Sequence, residues 1–368
     1  MKPKYILIIL TVVTIITVFY SCKDNPVNPP PVKSPRDYTW TVDTLNIPDA
    51  FQNLMRSMYA ANAEDIYLVG HNSGSQIYPG DGQMWHYNGK KWAVVRLNNK
   101  LGGFFLYSIH GSSSNNVWAV GSRKRSGEDF YRGFAMQYDG VSWKEHKLKQ
   151  KNGLYGPLSH NEIYSVFVES ETNVWACGAG GLVYHYDGNN WDIDTLNIPL
   201  AKNKERFELV KIVGNKNNKY ILSNYSESWD ATTRYYIFHY KNDQWAVIDS
   251  FAERPYYHPF GVTDLYYSSF GELYSVGPEV YKRENNWETI TLDHYTWIWG
   301  ISDYGKDNMI AVGTYRAFHY NGSDWAEIKA LTDENISYQC VWMDSKNVFV
   351  VGNTTIDNTG KTIVWHGK

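Results

Sequence analysis

Trp40-Thr41-Val42-Asp43-Thr44-Leu45-Asn46-Ile47-Pro48 stands near the start of the chain, and Trp191-Asp192-Ile193-Asp194-Thr195-Leu196-Asn197-Ile198-Pro199 repeats it in mid-chain. The second copy follows His185-Tyr186-Asp187-Gly188, whereas the first has no such text before it. The same tryptophan recurs at Trp92, Trp143, Trp245, Trp287 and Trp325, each a few residues after a related segment. Those segments are His86-Tyr87-Asn88-Gly89, Gln137-Tyr138-Asp139-Gly140, His239-Tyr240-Lys241-Asn242, Tyr281-Lys282-Arg283-Glu284 and His319-Tyr320-Asn321-Gly322. A period of roughly 40–50 residues marks a repeat array. The copy that lacks its leading text therefore decides how the array ends.

Upstream of each segment lies a short β-branched or aromatic run bounded by turn residues, the signal of a strand. Examples are Asn116-Val117-Trp118-Ala119-Val120-Gly121, Asn173-Val174-Trp175-Ala176-Cys177-Gly178 and Asn308-Met309-Ile310-Ala311-Val312-Gly313. A further apolar run precedes that one, as in Tyr164-Ser165-Val166-Phe167. Each repeat thus holds four short strands, A to D, with the tryptophan opening D. The Asp-Gly and Asn-Gly pairs between C and D are hairpin signals, because such turns need positive φ. The last repeat supplies A, B and C, then stops at Trp365-His366-Gly367-Lys368. The isolated D strand at residues 38–46 is expected to complete it and close the ring. The expected fold class is all-β: a seven-bladed β-propeller of four-stranded blades, the pattern that such repeats produce. Residues 38–368 resemble the propellers closed in this way, and the repeats are similar to bacterial secreted Ala-Val-Gly…His-Tyr-Asp-Gly…Trp arrays. They lack the Gly-His and Trp-Asp pairs of WD40 blades and the Ser-x-Asp start of sialidase Asp-boxes. An open solenoid would need polar capping repeats, and none is visible.

The 368 residues are 43% hydrophobic and 20% charged, with a net charge of −3. That balance excludes the strongly basic face of a nucleic-acid partner. The 30 Tyr and 15 Trp suit pleated, half-buried surfaces. Residues 1–22 read as a secretory segment: Lys2 and Lys4, an uncharged run over residues 5–20, then Ser21-Cys22. The small residue before Cys22 resembles a bacterial lipobox, with Phe19-Tyr20 departing from its usual residues. Lys23-Asp24 resembles the surface-export signal of Bacteroidetes lipoproteins. That resemblance implies lipid on Cys22 and an outer-membrane, surface-exposed lipoprotein; the alternative is an uncleaved anchor, since the stretch is borderline for spanning. Either way the chain is tethered to a membrane. Residues 23–37 carry five prolines and read as an extended spacer. Cys177 and Cys340 fall in non-adjacent repeats and are expected to be free thiols.

The repeated tryptophans are expected to be scaffold. The repeated His86, His185, His239, His319 and His366 are spread around the ring, whereas zinc needs converging ligands. They are expected to make a recurrent structural hydrogen bond, and no metal or cofactor is expected. Length variation concentrates in the B–C connections (71–82, 122–132, 224–234, 353–361) and the D–A connections (98–106, 149–162, 197–207, 250–261). In a propeller both emerge on one face, and insertions confined to one face mark a binding face. Trp229, Trp297 and Trp299, the tryptophans outside the regular strand positions, fall on it, with Tyr131, Tyr225, Tyr256, Tyr257, Phe260 and Tyr295. Counting fourteen residues back from the Gly of each strand B reaches the mouth of the central channel. The residues there are Arg56, Tyr107, Tyr164, Leu209, Thr263, Trp299 and Tyr338. Aromatic faces with polar handles suit amphipathic ligands such as sugars, so Arg56, Tyr107, Tyr164, Trp229, Trp297, Trp299 and Tyr338 are the candidate ligand contacts. Plugging of the channel by these rings is the structural alternative. Arg56, Arg123, Arg125, Arg132, Arg206, Arg234, Arg254 and Arg316 also map to this face, beside acidic residues with which local ion pairs are expected. No nucleophile elbow, His-Glu-x-x-His or phosphate-binding loop is present. Asp230, Asp264 and Asp293 are the carboxylates that a glycosidase would draw on. The expectation is a monomeric, non-enzymatic surface protein that binds a glycan or a cell-envelope protein. The alternatives are a carbohydrate-active enzyme and a structural envelope scaffold.

Overall fold

The structure, a computed structural model, describes residues 33–74, 82–97, 103–124, 131–148, 161–198, 206–228, 232–253, 258–356 and 359–368. The chain divides into Met1–Lys33 and Ser34–Lys368, and the second unit is a seven-bladed β-propeller. Five blades are separate four-stranded antiparallel sheets. The first and last blades merge into one eight-stranded sheet through a single parallel pair, Gln52 with Gly360. The N-terminal strand closes the ring as its sequence implies. Trp40–Leu45 runs antiparallel to Thr359–Gly367, from Trp40 opposite Gly367 to Leu45 opposite Thr362. Thr39 and Lys368 exchange both backbone hydrogen bonds just beyond it. The clasp begins earlier than residue 38. A 3-10 turn at Pro35–Asp37 is capped by Ser34, and the Arg36 guanidinium bonds the Asp324 carboxylate and the carbonyls of His319 and Asp324 in the preceding blade.

The repeated residues work as scaffold. Four of the five strand-C histidines stack on the strand-B aromatic beside them, as His86 does on Tyr67 at 4.2 Å and His185 on Trp175 at 4.0 Å, while His319 lies opposite Ile310. The Nε2 of each of the five meets the Asn or Asp at the head of strand B: Asp65, Asn173, Asn218, Asn308 and Asn347, all within 2.9 Å. Gln137 takes the same place in blade 2, donating to Asn116. In blade 5 the place belongs to Lys282, which pairs with Glu272. The sequence alignment on Tyr281 is thus one residue early. The C–D turn of that blade is shorter, closing Glu284 onto Asn286, and Arg283 stands opposite Trp287. Each tryptophan of strand D packs on its own blade and the one before, as Trp191 does against Tyr186 and Trp118. Cys177 and Cys340 are free.

The A strands line the axis. Neighbouring A strands are stitched together where a side chain accepts a backbone N–H from the next blade: Ser57 from Ile109, Ser108 from Val166, Ser165 from Ile212. Between blades 4 and 5 the corresponding positions carry Lys211 and Asp264, an ion pair with Nζ–Oδ1 of 2.9 Å. Thr362 does the same work at the closure, accepting from Met55. Every stitch satisfies an inner-edge donor that a buried strand edge would otherwise leave unpaired.

Several connections expected to be loops are strands. Strand B runs on to Ser73 in blade 1 and Lys124 in blade 2, strand A of blade 2 starts at Gly103, and residues 353–356 and 359–361 lie in the paired strands Val348–Ile356 and Thr359–Gly367. Their Ser, Asn, Thr, Lys and Arg residues look like loop composition. A ladder holds through backbone hydrogen bonds, however, and tolerates polar side chains that find partners, as Asn72 does on Gln83, Arg123 on Glu145 and Thr362 on Asn353.

Candidate functional site

A β-bulge near the start of strand A places one residue of each blade at the channel mouth. Such bulges take a side chain out of the ladder and re-aim it. The register breaks at Arg56, Tyr107, Tyr164, Val210, Trp299 and Gln339, and Thr263 occupies the matching place in blade 5. Counting fourteen residues from the strand-B Gly finds this position in five blades. It misses in blades 4 and 7, where the A–B turn has lost one residue: Gly214 pairs with Lys219 and Met343 with Val348. Leu209 and Tyr338 are therefore wrong for the mouth. Tyr338 is 1% exposed and packs edge-on against Trp365 at 5.1 Å in the core. Tyr225 and Phe260 are core residues as well. Trp229, Tyr256 and Tyr257 lie outside the described residues, as does Cys22.

In blades 2 and 3 the bulge also accounts for the strand-B glycine that faces it. A Cβ on Gly121 would sit 1.7 Å from the Phe105 carbonyl oxygen, and one on Gly178 would sit 1.8 Å from that of Glu162. In blade 7 only side chains approach Gly352 so closely, and in blade 4 Ser223 stands there instead.

Two aromatic groups flank the opening. On blades 2 and 3, Tyr107 packs edge-on against Tyr164 at 5.5 Å and beside Phe105, which also meets Tyr131. The Tyr164 hydroxyl donates to Glu162 at 3.0 Å; burial first, then Glu208 and Glu162, raise its pKa. Burial likewise raises the Glu208 carboxyl, with Glu162 adding to the effect. On blades 5 and 6, the Trp297 indole N–H donates to Thr263 at 2.7 Å and that of Trp299 to Thr314 at 3.0 Å. Their polar edges are thereby used, and the rings sit 6.4 Å apart. Trp299 is 36% exposed, Tyr315 46% and Tyr295 78%.

Between blades 6, 7 and 1 this face holds an open cavity of about 450 Å³. Arg56 and Leu54 line it from blade 1, Thr314 and Tyr315 from blade 6, and Glu334 to Ser337, Gln339 and Asn353 from blade 7. Tyr315 has φ +72°, a left-handed conformation uncommon for a bulky side chain. It is held by hydrogen bonds from its N–H to the Ile336 carbonyl and from the Asp333 N–H to its own carbonyl. Arg56 donates to His71 Nδ1 at 3.1 Å. A guanidinium only donates, so Nδ1 carries the lone pair. Solvent reaches the guanidinium, yet protein surrounds it, and this burial lowers its pKa. Other arginines of the face are neutralised locally, Arg123 by Glu145 and Arg316 by Glu327. Among the described residues no carboxylate pairs with Arg56. Of the carboxylates considered for catalysis, Asp264 is bound by Lys211, Asp293 is exposed and Asp230 lies outside the described residues. No group of three or more His, Cys, Asp or Glu fit to hold a metal occurs among the described residues.

Fold and face together define a β-propeller with a ring of non-repetitive side chains at one end of its strand-A array. No protein-family model matches the chain, and no curated protein does. Solved structures of similar fold do exist. The chain is similar to YCF48 bound to D1 peptide, with a TM-score of 0.58 at 13% identity, covering 90% of this chain and 97% of that one. YCF48 from Cyanidioschyzon merolae gives 0.58 at 12%, covering 89% and 98%. The extracellular domain of the hybrid two-component system BT3049 from B. thetaiotaomicron gives 0.55 at 10%, covering 88% of this chain and 42% of that one. At these identities the likeness is one of fold.

Proposed function

We propose that this chain is a membrane-tethered, surface-exposed, non-enzymatic propeller that binds a glycan or a cell-envelope protein through its B–C/D–A face. The observation that carries the reading is the pair of exposed rings, Tyr315 in the wall of the cavity of about 450 Å³ with Arg56, and Trp299 bonded to the lining Thr314. Large exposed aromatics grouped around a concavity mark interaction sites. The route of the chain supports the tether. Ser34–Asp37 joins the propeller at the C–D turn of blade 6, on the face opposite the variable loops. In this reading residues 1–22 carry a lipid on Cys22 or an anchor, and the residues between Cys22 and the Ser34–Asp37 turn serve as spacer. The neighbours are in keeping with this: one binds a peptide, and another is an extracellular domain.

The test uses the full-length chain in detergent, applied to a glycan array and to envelope extract. Retention of a glycan or protein, weakened about tenfold by Trp299→Ala at an unchanged unfolding midpoint, is the expected result. Silence in both formats would sink the proposal. A carbohydrate-active enzyme is the second reading, favoured by the raised Glu208 carboxyl next to Glu162. The same array separates the two, because a hydrolase or lyase shortens the glycan that it captures.

A further inference from the structure

We infer that the cavity between blades 6, 7 and 1 is a site for a carboxylate-bearing sugar, of the uronic or sialic acid class, with Arg56 receiving the carboxylate. The inference rests on the loop-face reading above and names its ligand. Arg56 is brought to the cavity by its bulge and has one donor engaged, on the His71 ring. A guanidinium presents five N–H groups in a fork that matches a carboxylate in two-point fashion. Glu334 lines the same cavity and makes no ion pair with it. The cavity therefore offers one cation and one carboxylate, each still available to a ligand.

The rest of the wall suits hydroxyl groups. Thr314 accepts the Trp299 indole N–H and keeps its own hydroxyl proton to donate. Gln339 spends its amide N–H on Ser337 and keeps its carbonyl oxygen. Leu54 and Ile336 are the aliphatic members of the wall, too few to favour an apolar peptide side chain. The volume of about 450 Å³ falls in the ordinary range of small-molecule sites, roughly 300–1,000 Å³. Trp299, with its N–H occupied, offers ring faces, and Tyr315 presents a second ring from a strained backbone. Such faces pack against the C–H surface of a sugar. Strain of this kind persists only where surrounding structure enforces it, and it gathers at ligand sites.

The experiment titrates the full-length chain with defined uronate- and sialate-terminated oligosaccharides, with the same oligosaccharides after carboxyl reduction to the alcohol, and with an acidic peptide ending in a free carboxylate. The acidic sugar is expected to bind at least about tenfold tighter than its reduced partner, the difference a charge-assisted pair supplies. Arg56→Gln should erase that preference while the unfolding midpoint stays put, and Arg56→Lys should restore only part of it. Equal binding of acid and alcohol, or an acid preference that survives Arg56→Gln, overturns the inference while leaving glycan binding at the loop face intact. Binding of the peptide in place of every acidic sugar also overturns it, and assigns the face to protein. Absence of any ligand, including from array and extract, removes the inference and the loop-face reading together.

Discussion

His319 is 2% exposed, its Nε2 committed to Asn308 and its Nδ1 buried without a partner. Burial, with Arg36 acting in the same sense against Asp324 and Asp37, pushes its pKa from 6.5 down to about 4. His110 is lowered to about 4 by burial, with Lys211 adding to it. Between those values the unfolded chain binds more protons than the folded one. Stability is therefore complete above about pH 6.5 and is lost as pH falls toward 4, by roughly 3 kcal/mol for a shift of this size. Gln137 shows what removes the dependence, since it makes the same bond in blade 2 without titrating. His319→Gln should fold and lose less stability than the parent between pH 7 and 4.5, read by urea unfolding. The His110 contribution remains in both proteins, and identical pH profiles would refute the assignment. The role of the strand-C histidines was legible from their shared place in the repeat, just before the Tyr of the C–D segment. That Tyr338 is core and Gln339 faces the mouth was not, because a single lost turn residue moves the bulge without changing any motif.

At the scale of elements, the A-strand bulge and the N-terminal strand do the decisive work. The bulge turns a repetitive strand into a ring of non-repetitive side chains around the channel, and in blades 1, 2 and 3 its carbonyl leaves no room for a Cβ on the facing strand-B Gly. The N-terminal strand covers the open edge of Thr359–Gly367 and buries Leu45 and Ile47 at its end. An uncovered edge of this kind is a template for pairing with another chain. Deleting residues 34–45 should lower stability by at least about 3 kcal/mol, from the lost ladder and apolar burial, and should produce dimers or aggregates. Size-exclusion chromatography with thermal unfolding checks this; a monomer of parental stability would show that the clasp is dispensable. The closing strand was readable because its text matches Trp191–Pro199 at all but Thr41 and Val42. The bulges were not, since no residue type is shared by Arg56, Tyr107, Val210, Thr263 and Gln339.

For the whole molecule, closure makes the ends of the propeller neighbours, Thr39 and Lys368 sharing two backbone hydrogen bonds. A circular permutant that joins Lys368 to Ser34 by a flexible linker and opens the chain at Val141, an 86% exposed turn residue, should fold to within about 1 kcal/mol of the parent. A permutant that fails to fold, or unfolds in two separate transitions, would show that continuity of the chain and not closure of the ring unites the blades. The same closure seats Ser34–Asp37 at the C–D turn of blade 6, where Arg36 bonds Asp324. The cavity beside Arg56 draws residues from blades 6, 7 and 1, and so exists only in the closed ring.

The sequence by itself determined the repeat, the strand count per blade, the scaffold tryptophans and histidines, and the closure, because each is written as a residue pattern at fixed spacing that local propensity and hairpin geometry enforce. It also marked the face to search and placed Arg56, Trp297 and Trp299 on it. Only the tertiary structure decided which candidates reach solvent and that Arg56, among the described residues, pairs with no carboxylate. It also brought Tyr315 and Gln339 into the same wall as Arg56. Those outcomes depend on one-residue changes in turn length and on contacts between blades far apart in the chain, and neither leaves a periodic trace in the text.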